Sequence, residues 1–229
     1  MVRFFHVARS FAGVDVLVDV HLTIERGDLA LVTGMAGAGK TTLARLLLGL
    51  ATPRRGWVTV DGLVLGGSPP DVLAGHRRRI AAIPQDPELV GDRSALDNVA
   101  LALEVAGVRP ADARRRAGLA LERLGLRPIA ARPAGALSRG ERQWVAIARA
   151  LVRSDASLVI ADEPADGLDD ADARLVGELL TEQHAHGKTV ILLSRADRVP
   201  GVCAPRIFDL EDGRVAERAL EAPRQLRAS

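Results

Sequence analysis

Aromatic residues are scarce: the chain has no tyrosine, two tryptophans and four phenylalanines, 3% in all. No stacking platform is interleaved with its basic residues, so no direct nucleic-acid partner is expected. Cys203 is the single cysteine. That excludes an internal disulfide, fits a reducing compartment, and predicts a small buried hydrophobe at 203. No apolar run approaches the ~20 residues that cross a bilayer. Met1 to Val7 has neither a long apolar stretch nor a small-residue cleavage site, so no export signal is expected. Neither sign of charge dominates, with 31 Lys+Arg against 29 Asp+Glu.

What is present suffices for a substantial core: 229 residues, 48% of them hydrophobic. The basic residues are nearly all arginine and form two clusters, Arg77-Arg78-Arg79 and Arg114-Arg115-Arg116. These read first as solvated helix faces; the alternative is a surface for anionic lipid or a partner's cytoplasmic segment. Short strands rich in β-branched residues are predicted at 2–7 and 18–24, and compact apolar strands at 29–33, 56–60, 79–83, 158–161, 189–193 and 206–210. Asp212-Gly213 predicts a hairpin turn. A helix is predicted over 41–50, closed by Gly49 and Pro53. Residues 87–153 read as mostly helical. Ser94 and Asp97 cap one helix, Pro110 opens a second with Ala113, Ala117, Ala120, Leu121 and Leu124 on one stripe, and Ser138-x-x-Glu141 is a capping box before a third. A further helix is predicted over 170–185. The polar tail after about Glu221 is expected to fray. Strands alternating with helices imply an α/β fold with a mainly parallel sheet, into which the helical block is inserted.

Two motifs carry chemistry. Gly34-Met35-Ala36-Gly37-Ala38-Gly39-Lys40-Thr41, followed by Thr42, matches G-x-x-x-x-G-K-[ST] in full, after a predicted strand and before a predicted helix. Its backbone amides and the helix N-terminus form a cradle for phosphate oxygens. Lys40 reaches the β- and γ-phosphates of ATP, and the Thr41 hydroxyl completes a Mg²⁺ shell. Far downstream, the apolar strand Leu158-Val159-Ile160-Ala161 ends in Asp162 and Glu163. Asp162 is placed to hold Mg²⁺ through water, and Glu163 to orient or deprotonate an attacking water.

With these motifs in this order, the chain resembles the ABC ATPase family over nearly its whole length. The resemblance implies a P-loop NTPase (RecA-like) core, a small antiparallel β subdomain and an inserted α-helical subdomain. It implies one domain over 1–229, with core and β subdomain in 1–86 and 156–220, the helical subdomain in 87–155 and a tail from 221. Phe11 falls where the family stacks adenine. Gln85 resembles the glutamine that senses γ-phosphate and Mg²⁺. Leu137-Ser138-Arg139-Gly140-Glu141 resembles the signature motif, and Gly167-Leu168-Asp169 the D-loop. In the family, Ser138 and Gly140 would close over the nucleotide of a second copy, so an ATP-sandwiched homodimer and a separate integral membrane partner at the inner face of the membrane are implied. The partner's groove is expected beside Gln85, in 86–97, with Arg93 as its test.

Three positions depart from the family. Arg139 replaces the first glycine of the signature, Trp144 stands where arginine is usual, and Arg195 stands where the switch histidine belongs. Arginine is a permanent donor: it can bind γ-phosphate but cannot shuttle a proton. Tight MgATP binding with slowed hydrolysis is expected, at the limit an ATP-gated scaffold. His184 and His186 are poor substitutes. Val2-Arg3-Phe4, His6-Val7, Asp92-Arg93, Leu96 to Ala100 and Ala161 to Pro164 are similar to the family's cell-division branch, which acts with a membrane partner on cell-wall hydrolases. The helix residues Gly140 to Gln143 and Val145 to Ala150 resemble the lipoprotein-releasing and macrolide-export branches at least as well.

Overall fold

A computed structural model describes residues 1–204 and 206–219; the tail predicted after Glu221 lies outside the described residues. Strands β1 (Val2–Phe11), β2 (Val14–Ile24), β4 (Arg55–Val60) and β5 (Leu63–Val64) form an antiparallel sheet in the order β2-β1-β4-β5. β3 (Leu29–Thr33), β6 (Ile80–Ile83), β7 (Leu158–Asp162), β8 (Thr189–Ser194), β9 (Arg206–Glu211) and β10 (Arg214–Glu217) form a second sheet, ordered β10-β9-β3-β8-β7-β6. Within it β9, β3, β8, β7 and β6 run parallel, and only β10 pairs antiparallel. β3, β7 and β8 are buried along their whole length, as strands covered on both faces must be.

The helices are α1 (Lys40–Leu47), α2 (Pro70–Arg77), α3 (Ala95–Val105), α4 (Pro110–Arg123), α5 (Arg139–Leu151) and α6 (Asp170–Ala185). One core cluster joins the antiparallel sheet through α1 to one face of the second sheet, with Leu17, Val20, Leu43, Leu46 and Ile191 inside. The other face packs on α5 and α6 through Trp144, Ile147, Val176 and Leu180. A separate cluster, Val99 and Leu103 of α3, Ala113, Ala117 and Leu121 of α4, and Val145 and Ala148 of α5, gives the inserted helices a core of their own. Each fully buried Leu, Ile or Val contributes about 1.5–3 kcal/mol. The alanines of α4 let the helices approach closely.

Helix starts follow their caps. Ser94 accepts from the Asp97 amide, and Ser138 and Glu141 form a reciprocal capping box at α5. Departures lie where local signals are weak. β1 and β2 run longer than predicted and meet at Ala12-Gly13, both left-handed (φ 47° and 84°), a turn that alanine disguises. α1 stops at Leu47, because Gly49 adopts the left-handed C-terminal conformation (φ 63°). α2 and the short β5 were not predicted; α2 carries little apolar periodicity and buries only His76. Cys203 is exposed, contrary to expectation, because it lies in the irregular loop after β8 rather than on an apolar face. Both arginine clusters lie at the surface, as read, and some members have partners within the chain. Arg79 pairs with Asp61 at 3.4 Å, Arg114 with Asp97, and Arg116 donates to Ser154 Oγ at 3.2 Å.

Candidate nucleotide-binding site

In a parallel sheet, functional loops gather where strands end at their carboxyl edge. Here β3 runs into residues 34–39, β6 into Gln85, β7 into Asp162-Glu163 and β8 into Arg195. A cavity of about 220 Å³ at this edge is lined by Ala36, Gly37, Gly39, Lys40, Thr41, Thr42, Gln85, Glu163 and Arg195, together with Val16.

The cradle is backbone work. Gly39 takes φ 111°, and a Cβ there would approach Leu17 Cδ2 to 2.9 Å, so only glycine fits. Gly39 also occupies the N-cap of α1 without offering a side chain to cap it. The amides of Gly37, Gly39, Lys40 and Thr41 make no hydrogen bond among the described residues. Free amides at a helix N-terminus are an anion site. Gly34 and Ala38 are tied down instead: Gly34 donates to the Ser194 carbonyl at 3.2 Å, and Ala38 to the Met35 carbonyl at 3.2 Å. The Met35 side chain is exposed at the crest of the loop.

Lys40 is buried, and its ammonium donates to the carbonyls of Gly34 (2.6 Å) and Met35 (3.1 Å) and lies 3.2 Å from Glu163 Oε1. Thr41 Oγ1 donates to Gln85 Oε1 at 3.5 Å, so two of the three predicted Mg²⁺ ligands touch. The third, Asp162, is buried with Oδ1 unpaired. Burial pushes the Asp162 carboxyl up, the neighbouring Glu163 adds to this, and Thr41 and Lys40 pull it back down. An orphaned buried carboxylate oxygen beside a threonine hydroxyl is the donor set that a hard dication takes, so the residues fit Mg²⁺.

Glu163 has a left-handed backbone (φ 47°) and only 8% exposure. That conformation turns the chain at the end of β7 and hangs the carboxylate in the cavity. Its Oε2 accepts from the Arg195 amide at 3.2 Å, and its Oε1 lies 3.5 Å from Arg195 Nε. The Arg195 guanidinium also pairs with Asp166, which in turn pairs with Arg139 at 3.2 Å. Arg195 and Arg139, two of the positions that depart from the family, therefore share one carboxylate. Asp166 was missed from sequence, although it sits between Glu163 and the D-loop-like Gly167-Leu168-Asp169. The third departure, Trp144, is buried and donates its indole N–H to Asp172 at 3.1 Å. His184 bonds the Gly27 carbonyl at 2.9 Å, beyond the opposite end of β3.

Not every predicted residue lines the cavity. Phe11 is 51% exposed near the β1–β2 turn, with the Arg9 guanidinium 5.1 Å from its ring centre. Ser138 and Gly140 lie at the start of α5, where the Ser138 hydroxyl is engaged in its cap and Gly140 faces Leu168. α5 is linked to the site through Gln143, whose amide donates to the Pro164 carbonyl at 2.9 Å.

Residues 17–166 match the ABC transporter family. The chain belongs to that family and is an ATP-binding cassette, its ATPase domain. It is 36% identical over 214 residues to the cell division ATP-binding protein FtsE of Escherichia coli, covering 93% of this chain and 96% of that one. It is 37% identical over 197 residues to the macrolide export ATP-binding/permease protein MacB of Hyphomonas neptunium, covering 86% of this chain but 30% of that one. A solved dimeric structure of the ATP-binding cassette MJ0796, in a post-hydrolysis state bound to ADP and Pi, superimposes with a TM-score of 0.88 at 29% identity, covering 97% and 100% of the two chains. Among the described residues, no helix is long and apolar enough to cross a membrane.

Proposed function

We propose that this chain is the ATP-binding subunit of a homodimer that closes on MgATP and passes the closing motion to a separate integral membrane partner. The observation that carries this is the convergence of four strand ends on one cleft, with Lys40, Thr41, Gln85, Glu163 and Arg195 around it and the unpaired Asp162 oxygen behind Thr41. Residues 1–229 act as one domain: core and β subdomain in 1–86 and 156–220, the helical subdomain in 87–155, a tail from 221.

The phosphates lie on the free amides between Gly37 and Thr41. Lys40 leaves the Gly34 and Met35 carbonyls for the β- and γ-phosphates, exchanging neutral acceptors for charged ones. Thr41, Gln85 and Asp162 hold Mg²⁺, which when bound neutralises charge on the transferring phosphoryl group. Glu163 orients the attacking water and takes its proton. Phe11 stacks on adenine, and Ser138 and Gly140 face the nucleotide held by the second chain. Paired measurements of ATP affinity, ATP-dependent dimerisation and turnover test this. Lys40→Ala should weaken ATP binding, and Glu163→Gln should dimerise on ATP without turning it over; unchanged behaviour in both variants overturns the reading.

The finer reading is an FtsE-type subunit, peripheral at the inner face of the cell membrane beside an FtsX-like permease, controlling peptidoglycan hydrolases. The stretches Val2 to Val7 and Asp92 to Ala100 support it. The residues of α5 support a second reading, an ATPase of the lipoprotein-releasing or macrolide-export type. Depleting the chain separates them: cells that fail to divide or separate select the first, whereas altered macrolide tolerance or lipoprotein release selects the second. Arg93→Glu tests the groove at 86–97 and should weaken co-purification with the permease. The engagement of Arg195 with Glu163 and Asp166 supports a third reading, an ATP-gated scaffold. ATP-dependent closure without turnover in the unmodified chain selects it.

A further inference from the structure

Two bulges in the antiparallel sheet bring three metal-ligating side chains to one point. Between the pairs Phe4↔Leu22 and Val7↔Val20, β1 carries Phe5 and His6 against His21 alone. Between Val7↔Val20 and Arg9↔Leu17 the excess reverses, and β2 carries Val18 and Asp19 against Ala8. β4 follows the first bulge: His6 and Val7 face only Gly56, where a Cβ would run into the carbonyls of Phe5 and His6. His6 and Asp19 are both left-handed (φ 49° and 54°). The Val18 amide donates to the Gly213 carbonyl at 2.7 Å, which anchors the second bulge to the β9–β10 turn. Bulges re-aim side chains, and here they aim two strands at one spot.

Asp19 Oδ1 lies 2.6 Å from His6 Nδ1 and 3.5 Å from His21 Nε2, and the two ring nitrogens are 3.0 Å apart. Adjacent ligands on a tetrahedral zinc ion stand about 3.3 Å apart, given bonds of about 2.0–2.1 Å. The triangle is of that size. Hydrogen bonding alone serves it poorly, because a neutral imidazole nitrogen is a donor or an acceptor. If His6 Nδ1 donates to Asp19, it has no lone pair for His21; if it accepts from His21, its lone pair faces the carboxylate. The Phe5 ring packs in T-shaped contact with both imidazoles, at 4.5 and 5.5 Å between centres. None of the three residues lines the nucleotide cavity. His6 and Asp19 border a different one, of about 440 Å³, with Ser10, Asp15, Arg54 and Arg55.

We propose that His6, Asp19 and His21 form a binding site for a divalent transition-metal ion of the zinc class, with a fourth position open to water. Two imidazoles and one carboxylate suit Zn²⁺ and its neighbours rather than Mg²⁺. The test is a calorimetric Zn²⁺ titration of the nucleotide-free chain in excess Mg²⁺, which fills sites built from oxygen alone. One Zn²⁺ per chain is expected, weakened more than about tenfold by His21→Ala and by Asp19→Asn, each of which removes one of three ligands. Both side chains are about half exposed, and asparagine tolerates the left-handed backbone at 19. A readout that needs no variant is the NMR spectrum of the unmodified chain, in which Zn²⁺ should shift the ring resonances of His6 and His21 together. No zinc uptake, or uptake equal in both variants with those resonances unmoved, overturns the assignment.

Discussion

At the end of β3 the nucleotide cleft is shaped by main chain, with Lys40 and Thr41 rising from it; at the end of β8 it is lined by long charged side chains. The first side depends on the conformation of Gly39 and on amides fixed by the β3–α1 junction. The second depends on Arg195, Asp166 and Arg139, which are 49%, 24% and 61% exposed at their side chains. Exposed ion pairs contribute about 0–1 kcal/mol each, so this side can rearrange at little cost. A side fixed by backbone conformation faces a side of exposed, adjustable ion pairs. Two of the three departures from the family, Arg139 and Arg195, lie on the second side and share Asp166.

Substitutions can break or sharpen that contrast. The largest effect belongs to Glu163→Gln, which keeps the shape of the side chain and removes the proposed base: turnover should fall by about 10²–10⁴ while ATP affinity holds, checked by single-turnover and equilibrium binding. Lys40→Ala should weaken ATP about 10–100-fold, because charged hydrogen bonds contribute about 1.5–3 kcal/mol. Arg195→His restores a group that can both accept and donate, and steady-state turnover should rise about tenfold or more. Unchanged turnover there would show that the second side is not limiting.

Asp162→Asn should have a smaller effect of opposite sign on the empty chain. Burial raises the Asp162 carboxyl, so the folded state gains from its protonation in acid and loses that gain as pH rises through the raised pKa. Near neutral pH the asparagine variant should melt later, by about 1 kcal/mol of added stability. It should also lose the extra stabilisation that MgATP confers, and the gain in the empty chain should vanish at low pH. The smallest effect is expected from Arg139→Ala, a few-fold change in ATP-dependent dimerisation, since it breaks one exposed pair.

Much of this was legible in the sequence, for identifiable reasons. The strand-glycine-helix order predicted at 29–50 and the apolar run ending at Asp162-Glu163 are local signals, and both are present, although the helix closes at Leu47. The capping box at Ser138 is equally local. What stayed hidden depends on partners distant in sequence or on backbone that side chains disguise. Ala12 gives no sign of a left-handed turn. The register shifts around His6 and Asp19 follow from three strands at once. Asp166 becomes informative only when Arg139, 27 residues upstream, is brought against it, and Cys203 is exposed because its loop turns Val199, Val202 and Ala204 to the core instead.

The reversed turn at Glu163 has a consequence for the history of the molecule. A side chain held at φ 47° costs about 1 kcal/mol or more relative to glycine, which adopts that angle freely. Selection for thermal endurance alone, with no demand for nucleotide turnover, should drift this position towards glycine or asparagine. Under the role proposed for Glu163, a chain that retains the carboxylate gives up some robustness to keep a chemical step, and its replacement by glycine should raise thermal stability while abolishing turnover.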